Sequence, residues 1–336
     1  MKKVRVGING MGRIGRTVLR EIFNLNHPVL EVVAINNPGV PERYIHLLRY
    51  DSCHGKFLKS VDFKDGIITI DSKKVNFFNA QDPKDIPWDQ AKVDLVIDST
   101  GIFKDKDALS RHLKGSVKKV MMCAPGKGLD GTFVIGVNHK NYNPAKHHVI
   151  SNASCTTNCL APVAKVIHEK FGIENGMMTT VHSYTLDQSI LDASHKDPRR
   201  ARAGAISIIP TTTGAAKAIG LVIPELAGIL DGFSLRVPTP NVSLVDFTAN
   251  LKTNGSVAEI NKVLKEAAMG PFKGIMDYTE EELVSIDYMS NPHSSIIDSK
   301  LTMGIGKMVK IIAWYDNEFG FSRRVIDLAA LVGEQM

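Results

Sequence analysis

At 336 residues the chain is too long for one small module and suits two domains of about 150 residues each. Hydrophobic residues make up 43% and charged residues 23%, which excludes a disordered or collagen-like chain. The net charge of +6 is spread along the chain with no basic tail, so it favours phosphate-bearing small molecules over nucleic acid.

Taken in chain order, Val4 to Ile8 is an apolar run, Ile14, Val18, Leu19 and Ile22 share one helical face, and Val29 to Ile35 is a second, β-branched run. Together they predict a βαβ unit. Further strands are expected at Val93 to Ile97, Val117 to Met122 and Phe133 to Val137. Most of these runs end in Gly, Ser, Asn or Pro, at the carboxyl ends where open parallel sheets place ligands. After Ser151 the texture changes. The small-residue stretch SNASCTTNCLAP leads into a helix carrying Val163, Val166 and Ile167. MMTTVHSYT and FSLRVPTPNVSLVDFTANL then read as antiparallel strands, with an irregular basic loop from Leu186 to Ala203 between them. Ser322 to Val332 returns to helical spacing and is expected to pack back on the first domain.

The expected class is α/β. A doubly wound cofactor domain spans 1–154 and is completed by a C-terminal helix at 318–336, and an α+β catalytic domain with a mixed, largely antiparallel sheet spans 155–317. Four cysteines, irregularly spaced, suit a reducing compartment better than a disulfide framework. With no secretory h-region and no run of 18 apolar residues, the expected location is the cytoplasm, with no membrane partner.

Gly10-Met11-Gly12-Arg13-Ile14-Gly15 is a G-x-G-x-x-G string that follows a strand and opens a helix, the setting of a dinucleotide fingerprint. Its glycines allow a tight turn and close approach of a pyrophosphate to the positive helix end. The second strand ends Ile35-Asn36-Asn37-Pro38, without the carboxylate that holds the ribose hydroxyls of NAD. An amide at Asn37 does not repel a 2′-phosphate, which leans toward NADP.

Cys155 lies where the small polar run becomes a helix, so the partial charge of the helix start is expected to lower its thiol pKa and to offer N–H groups to an oxyanion. Cys159, one turn on, reads as a packed hydrophobe, and C-x-x-x-C lacks the companion ligands of a zinc site; no metal is expected. Eleven histidines compete as the base. His182, alternating with Val181 on a strand, is the best placed of them.

VGINGMGRIGR, SNASCTTNCLAP, TVHSYT, HKDPRRARA, IIPTTTGAAKA, LRVPTPNVS and WYDNEFG, in this order from residue 3 to about 330, closely resemble phosphorylating glyceraldehyde-3-phosphate dehydrogenases. The resemblance implies a homotetramer that oxidises glyceraldehyde 3-phosphate with NAD or NADP and inorganic phosphate. Cys155 matches the nucleophile and His182 its base. Thr185, Asp187 and Arg236 match the pocket for the substrate's own phosphate, with Asp187 orienting. Ser154, Thr156, Thr213 and Gly214 match the pocket for attacking phosphate, and Asn317 matches the residue that holds the nicotinamide carboxamide. Phe321 stands where the family usually carries a tyrosine.

The departures concern the cofactor. Asn37 replaces the family's Asp, Gln81 an Arg near the adenine, and Cys123 a Ser or Thr at a sheet end. Ala193-Ser194 stand where NAD-specific members carry Leu-Pro, and resemble photosynthetic NADP-using members. Within the enzyme class the alternative is erythrose-4-phosphate dehydrogenase, whose members usually depart from the TTTGAAKA and VHSYT strings kept here. A cysteine hydrolase or a nucleic-acid-binding module, the latter resting on Arg199, Arg200 and Arg202, fits less well.

Overall fold

A computed structural model describes residues 3–336. The chain divides into two compact units: residues up to Phe133 with His139–Ala153 and Ser322–Met336, and Val134–Asn138 with Ser154–Phe321.

In the first unit the strand Val4–Asn9, the helix Arg13–Asn24 and the strand Leu30–Asn36 form the βαβ opening, the two strands running parallel. Val6, Ile8, Val18 and Leu19 are fully buried between them, as the 2-fold and 3.6-fold periodicities require. Among the described residues nine strands make the sheet. Their spatial order is Gly131–Thr132, Val149–Ser151, Lys119–Met122, Leu95–Asp98, Val4–Asn9, Leu30–Asn36, Lys73–Phe78, Ile67–Ile70 and Val61–Lys64. All pairs are parallel except the meander at the last edge. Chain order reverses on either side of Val4–Asn9, and that reversal opens the crevice in which doubly wound sheets bind ligands. The helix Phe319–Glu334 enters this unit at Ser322, where Gly333 lies against Val4 and Arg323 meets Glu21 at 3.2 Å.

One expected strand is absent. Phe133 to Val137 is a turn that follows the two-residue strand Gly131–Thr132. Gly136 takes φ +86°, the Val134 carbonyl accepts the N–H groups of Val137 and Asn138, and Asn138 Oδ1 accepts the Val134 N–H. The apolar side chains fit a strand, but a left-handed glycine in the middle cannot continue one.

In the second unit the helix Cys155–Phe171 packs on a mixed sheet; its buried Cys159 Sγ lies 3.8 Å from Ser295 Oγ and from the Ala313 carbonyl. Among the described residues seven strands follow in the order Ile209–Thr212, Leu230–Val237, Ile173–Ser183, Ser243–Leu251, Met308–Tyr315, Ser295–Ile305 and Met276–Thr279. The expectation of antiparallel strands holds for Ile173–Ser183 against Ser243–Leu251 and fails against Leu230–Val237, to which Ile173–Ser183 runs parallel. The chain between these two strands passes through the strand Ile209–Thr212 and the helix Ala215–Val222, the kind of long crossover that parallel pairing needs. No helix among the described residues is long and apolar enough to cross a membrane.

Candidate functional site

Ser154 caps the helix Cys155–Phe171, its Oγ accepting the Thr157 N–H at 3.0 Å, so Cys155 is the first helical residue. The next strand, Ile173–Ser183, ends at the residues that face it. Cys155 Sγ stands 3.5 Å from His182 Nε2, although 27 residues separate them. Pairing of Ile173–Ser183 with Leu230–Val237 aligns His182 with Arg236, whose Nη1 lies 2.8 Å from His182 Nδ1 and 3.1 Å from the Ser183 carbonyl. The same carbonyl is 2.7 Å from His182 Nδ1. One imidazole nitrogen cannot donate to Ser183 and accept from Arg236 at once. Donation to Ser183 leaves a lone pair on Nε2 facing the sulfur.

The electrostatics correct one expectation. Burial pushes the Cys155 thiol up; the Arg236 charge, Thr156 and the first helical N–H groups oppose this without cancelling it. The helix start is present, but desolvation outweighs it. Burial, reinforced by Arg236, drives His182 down to about 3. Both shifts favour the neutral thiol and neutral imidazole in the ligand-free protein.

Beneath the thiol lies a residue with no counterpart among the sequence-based candidates. The Tyr315 hydroxyl is 2.8 Å from Thr156 Oγ1 and 2.9 Å from Thr180 Oγ1, and burial keeps it protonated. Tyr315 belongs to the WYDNEFG string, but only the fold brings it under Cys155.

The residues matched to two phosphate pockets gather around this pair. Arg236 is half-buried, and its Nε has no hydrogen-bond partner among the described residues, leaving a donor for an anion. Asp187 interacts with Arg236; burial would raise its carboxyl, but the Thr185 hydroxyl, Arg236 and Arg200 hold it below the usual range. Arg200, read in the sequence only as one of three loop arginines, has a role there that the sequence did not show. It donates to Asp187 at 2.7 Å and to Thr211 Oγ1 at 2.6 Å, tying the irregular loop to the strand Ile209–Thr212. With Arg202 paired to Asp192 at 2.8 Å, two of the loop's three arginines pair with carboxylates of the same loop. Thr213 Oγ1 accepts the Ala215 N–H at 3.2 Å at the start of the helix Ala215–Val222. Thr157 Oγ1 reaches the Ala215 carbonyl at 3.5 Å, so Ser154, Thr156, Thr213 and Gly214 stand at two adjoining helix starts. Asn317 is buried, and its Oδ1 lies 2.8 Å from Ser243 Oγ.

In the first unit the glycine string makes a cradle. Gly10 takes φ +101° and Gly15 packs so tightly that a Cβ there would stand 2.0 Å from the Gly10 carbonyl oxygen. A Cβ on Gly12 would meet nothing within 4 Å, so the space in front of the helix start is open. Among the described residues no side chain caps that helix, and its first turn holds no acidic residue. Open space before uncapped N–H groups fits a pyrophosphate. Arg13 is bound to Asp51 through two 3.0 Å contacts, which places its guanidinium on a carboxylate. Asn37 Oδ1 accepts the Met11 N–H at 2.7 Å and so clamps the second strand to the turn. Gln81 is exposed and follows Ala80, whose backbone pairs with the Asn36 side chain at the same sheet edge. Cys123 is partly buried after Lys119–Met122, its thiol pushed up by burial and by Asp98. Ser194 is exposed on the irregular loop of the second unit.

The doubly wound sheet and its glycine cradle define the class, a dinucleotide-dependent oxidoreductase. Comparison with known proteins gives the family. Residues 4–106 match the model of the glyceraldehyde 3-phosphate dehydrogenase NAD binding domain, and residues 154–317 that of the C-terminal domain. A glyceraldehyde-3-phosphate dehydrogenase 2 of Trichormus variabilis is 54% identical over 335 residues, covering 99% of both chains. A glyceraldehyde-3-phosphate dehydrogenase of Geobacillus stearothermophilus is 54% identical over 333 residues, again covering 99% of each, and glyceraldehyde-3-phosphate dehydrogenase 1 of Bacillus subtilis is 53% identical over the same length. The chain belongs to the glyceraldehyde-3-phosphate dehydrogenase family, and its cofactor is NAD or NADP.

Proposed function

We propose that the chain is a phosphorylating dehydrogenase that converts glyceraldehyde 3-phosphate, NAD(P)+ and inorganic phosphate reversibly to 1,3-bisphosphoglycerate. The observation that carries the reading is Cys155 Sγ at 3.5 Å from His182 Nε2 with the Arg236 cation on the far side of the imidazole. Cys155 adds to the aldehyde carbon while its thiol proton passes by way of His182 to the carbonyl oxygen, giving a hemithioacetal, and His182 receives that hydroxyl proton as the hydride leaves. The first helical N–H groups face the oxygen that gathers charge. Bound NAD or NADP supplies the two-electron acceptor that takes the hydride. Cys155 is then a thioester, and phosphate held by Ser154, Thr156, Thr213 and Gly214 attacks its carbonyl and releases the thiol. Arg236 and Thr185, oriented by Asp187, bind the substrate's phosphate.

The cofactor is assigned to Gly10, Gly12, Arg13, Ile14 and Gly15 at the pyrophosphate, to Asn37, Gln81 and Cys123 along the sheet edge, to Ser194, and to Asn317 at the carboxamide. Asn37 and Ser194 support use of NADP at least as well as NAD: the amide carries no charge to repel a 2′-phosphate, and the hydroxyl can donate to one. A homotetramer is supported by exposed Leu186, Ile190, Leu191, Ile206 and Ile208, apolar side chains that solvent covers poorly. The four free thiols support a reducing, cytoplasmic setting.

The test is a steady-state assay of the purified protein with glyceraldehyde 3-phosphate, with and without phosphate, and with each cofactor. Cys155→Ser should abolish turnover. Substantial activity in that variant, turnover indifferent to phosphate, or a preference for erythrose 4-phosphate would overturn the reading.

A further inference from the structure

Ser243 begins the strand Ser243–Leu251 and is buried. Its Oγ accepts the Ser183 N–H at 3.1 Å and lies 2.8 Å from Asn317 Oδ1. Among the described residues its side chain makes no other hydrogen bond. The Ser183 N–H can only donate, so the single proton of the Ser243 hydroxyl has one acceptor within reach, the amide oxygen of Asn317. Were the amide turned the other way, its nitrogen would face the hydroxyl and a buried O–H would be left unpaired, which is disfavoured by about 1 kcal/mol or more. Asn317 is therefore held with its oxygen inward. Among the described residues its only side-chain hydrogen bond is the one through Oδ1, which leaves the nitrogen available.

The geometry points to Ser243 as a positioning residue that fixes which end of the Asn317 amide meets the cofactor. A freely turning asparagine can offer a donor or an acceptor; the locked one offers only N–H donors. The site consequently reads the carbonyl of the nicotinamide carboxamide and ignores its NH2 group. This inference rests on the reading of Asn317 as the carboxamide residue. Ser183, whose N–H anchors Ser243, also receives the His182 and Arg236 contacts on its carbonyl, so one strand end sets both the imidazole and the amide.

The test measures dissociation constants by calorimetry on the cofactor-free full chain, for NAD+ and for its 3-acetylpyridine analogue, which keeps the carbonyl and replaces NH2 by methyl. The wild type should bind the two within about threefold of each other, since the NH2 is not read. In Ser243→Ala the amide turns freely. NAD+ can then pair with either end and the analogue with only one, so with the two pairings equally strong the analogue-to-NAD+ ratio should rise about twofold. Asn317→Asp, which does not depend on how Ser243→Ala folds, presents an acceptor alone and should raise the ratio about tenfold. A purely structural role for Ser243 would weaken both ligands equally. Ratios unchanged in both variants, with Asn317→Ala still weakening NAD+, overturn the role of Ser243 while leaving that of Asn317 intact. NAD+ affinity indifferent to Asn317→Ala overturns both.

Discussion

Replacing Tyr315 by phenylalanine removes one oxygen from beneath the thiol and leaves the ring in place. Thr180 Oγ1 donates to the Leu244 carbonyl at 3.0 Å. Having spent its proton there, it can only accept from Tyr315, which in turn can only accept from Thr156. The protons thus run inward from Thr156 to Leu244, so the Thr156 hydroxyl that opposes the upward shift of the Cys155 thiol shares its proton with Tyr315. In Tyr315→Phe, Thr180 keeps its carbonyl, whereas Thr156 loses its competing acceptor and can donate fully to the neighbouring sulfur. Two hydrogen bonds lost and one partly regained should cost about 1–2 kcal/mol. For a unit of this size that lowers Tm by about 2–8 °C. A neutral donor turned onto a thiolate is worth about 1.5 kcal/mol. Because part of that donation is already present, at about 1.36 kcal/mol per pKa unit the thiol should fall by up to about one unit relative to the wild type. The assay is the rate of alkylation of Cys155 by iodoacetamide against pH in the cofactor-free protein, read on the Cys155 peptide by mass spectrometry because Cys53 and Cys123 are also partly exposed thiols. The curve should move toward acid in Tyr315→Phe and return in Tyr315→Phe/Thr156→Val. A curve that stays put or moves toward alkali refutes donation running from Thr156 through Tyr315 to Thr180.

Gly15→Ala should cost about 1–3 kcal/mol and weaken cofactor binding, because the new methyl meets a backbone oxygen that cannot rotate away; calorimetry and thermal melts read both effects. Arg13→Met exposes the balance at Asp51, where burial raises the carboxyl but Arg13 and the His54 and Cys53 N–H groups win and hold it well below the usual range. A depressed folded pKa contributes stability that is complete above the unfolded value of about 4 and fades as pH falls through the folded one. The deficit of Arg13→Met, about 1–3 kcal/mol at neutral pH, should therefore narrow below about pH 4 in denaturant titrations. Asn37→Asp keeps an oxygen for the Met11 N–H and adds only charge. Combined with Ser194→Pro, it should shift the NADP-to-NAD ratio of kcat/KM at least about tenfold toward NAD; an unchanged ratio removes both residues from the specificity argument.

Much of the first unit was legible, because its signals are local. The βαβ opening follows from two periodicities and a glycine string. Phe133 to Val137 misled for the same reason: four apolar side chains satisfy a strand pattern, and the φ of Gly136 that defeats it is a backbone property the composition does not carry. The second unit was less legible because its pairing depends on connections. Whether Ile173–Ser183 meets Leu230–Val237 parallel or antiparallel depends on the path of residues 184 to 229, and no pattern within either strand encodes that path.

The site divides along a similar line. Cys155 at a helix start and His182 on a strand stood out because reactive side chains in unusual surroundings are rare. The residues that govern them did not, because a serine, a threonine or a tyrosine on a half-polar strand is ordinary until its partner is known. Ser243 acquires meaning from Ser183 and Asn317, and Tyr315 from Thr156 and Thr180, residues 60 and 74, and 159 and 135, positions away. The same limit explains the thiol. A helix start is visible in SNASCTTN, but the desolvation that opposes it comes from elements elsewhere in the chain. Donor direction is subtler still, since it requires the whole chain of hydroxyls to end on a group that can only accept. The Leu244 carbonyl is that end beneath the thiol, and the Ser183 N–H, which can only donate, plays the opposite part beneath Asn317. A backbone group of fixed polarity thus orients each string of rotatable side chains. Variants that keep size while deleting a single hydroxyl proton are therefore the substitutions that separate orientation from packing in this site.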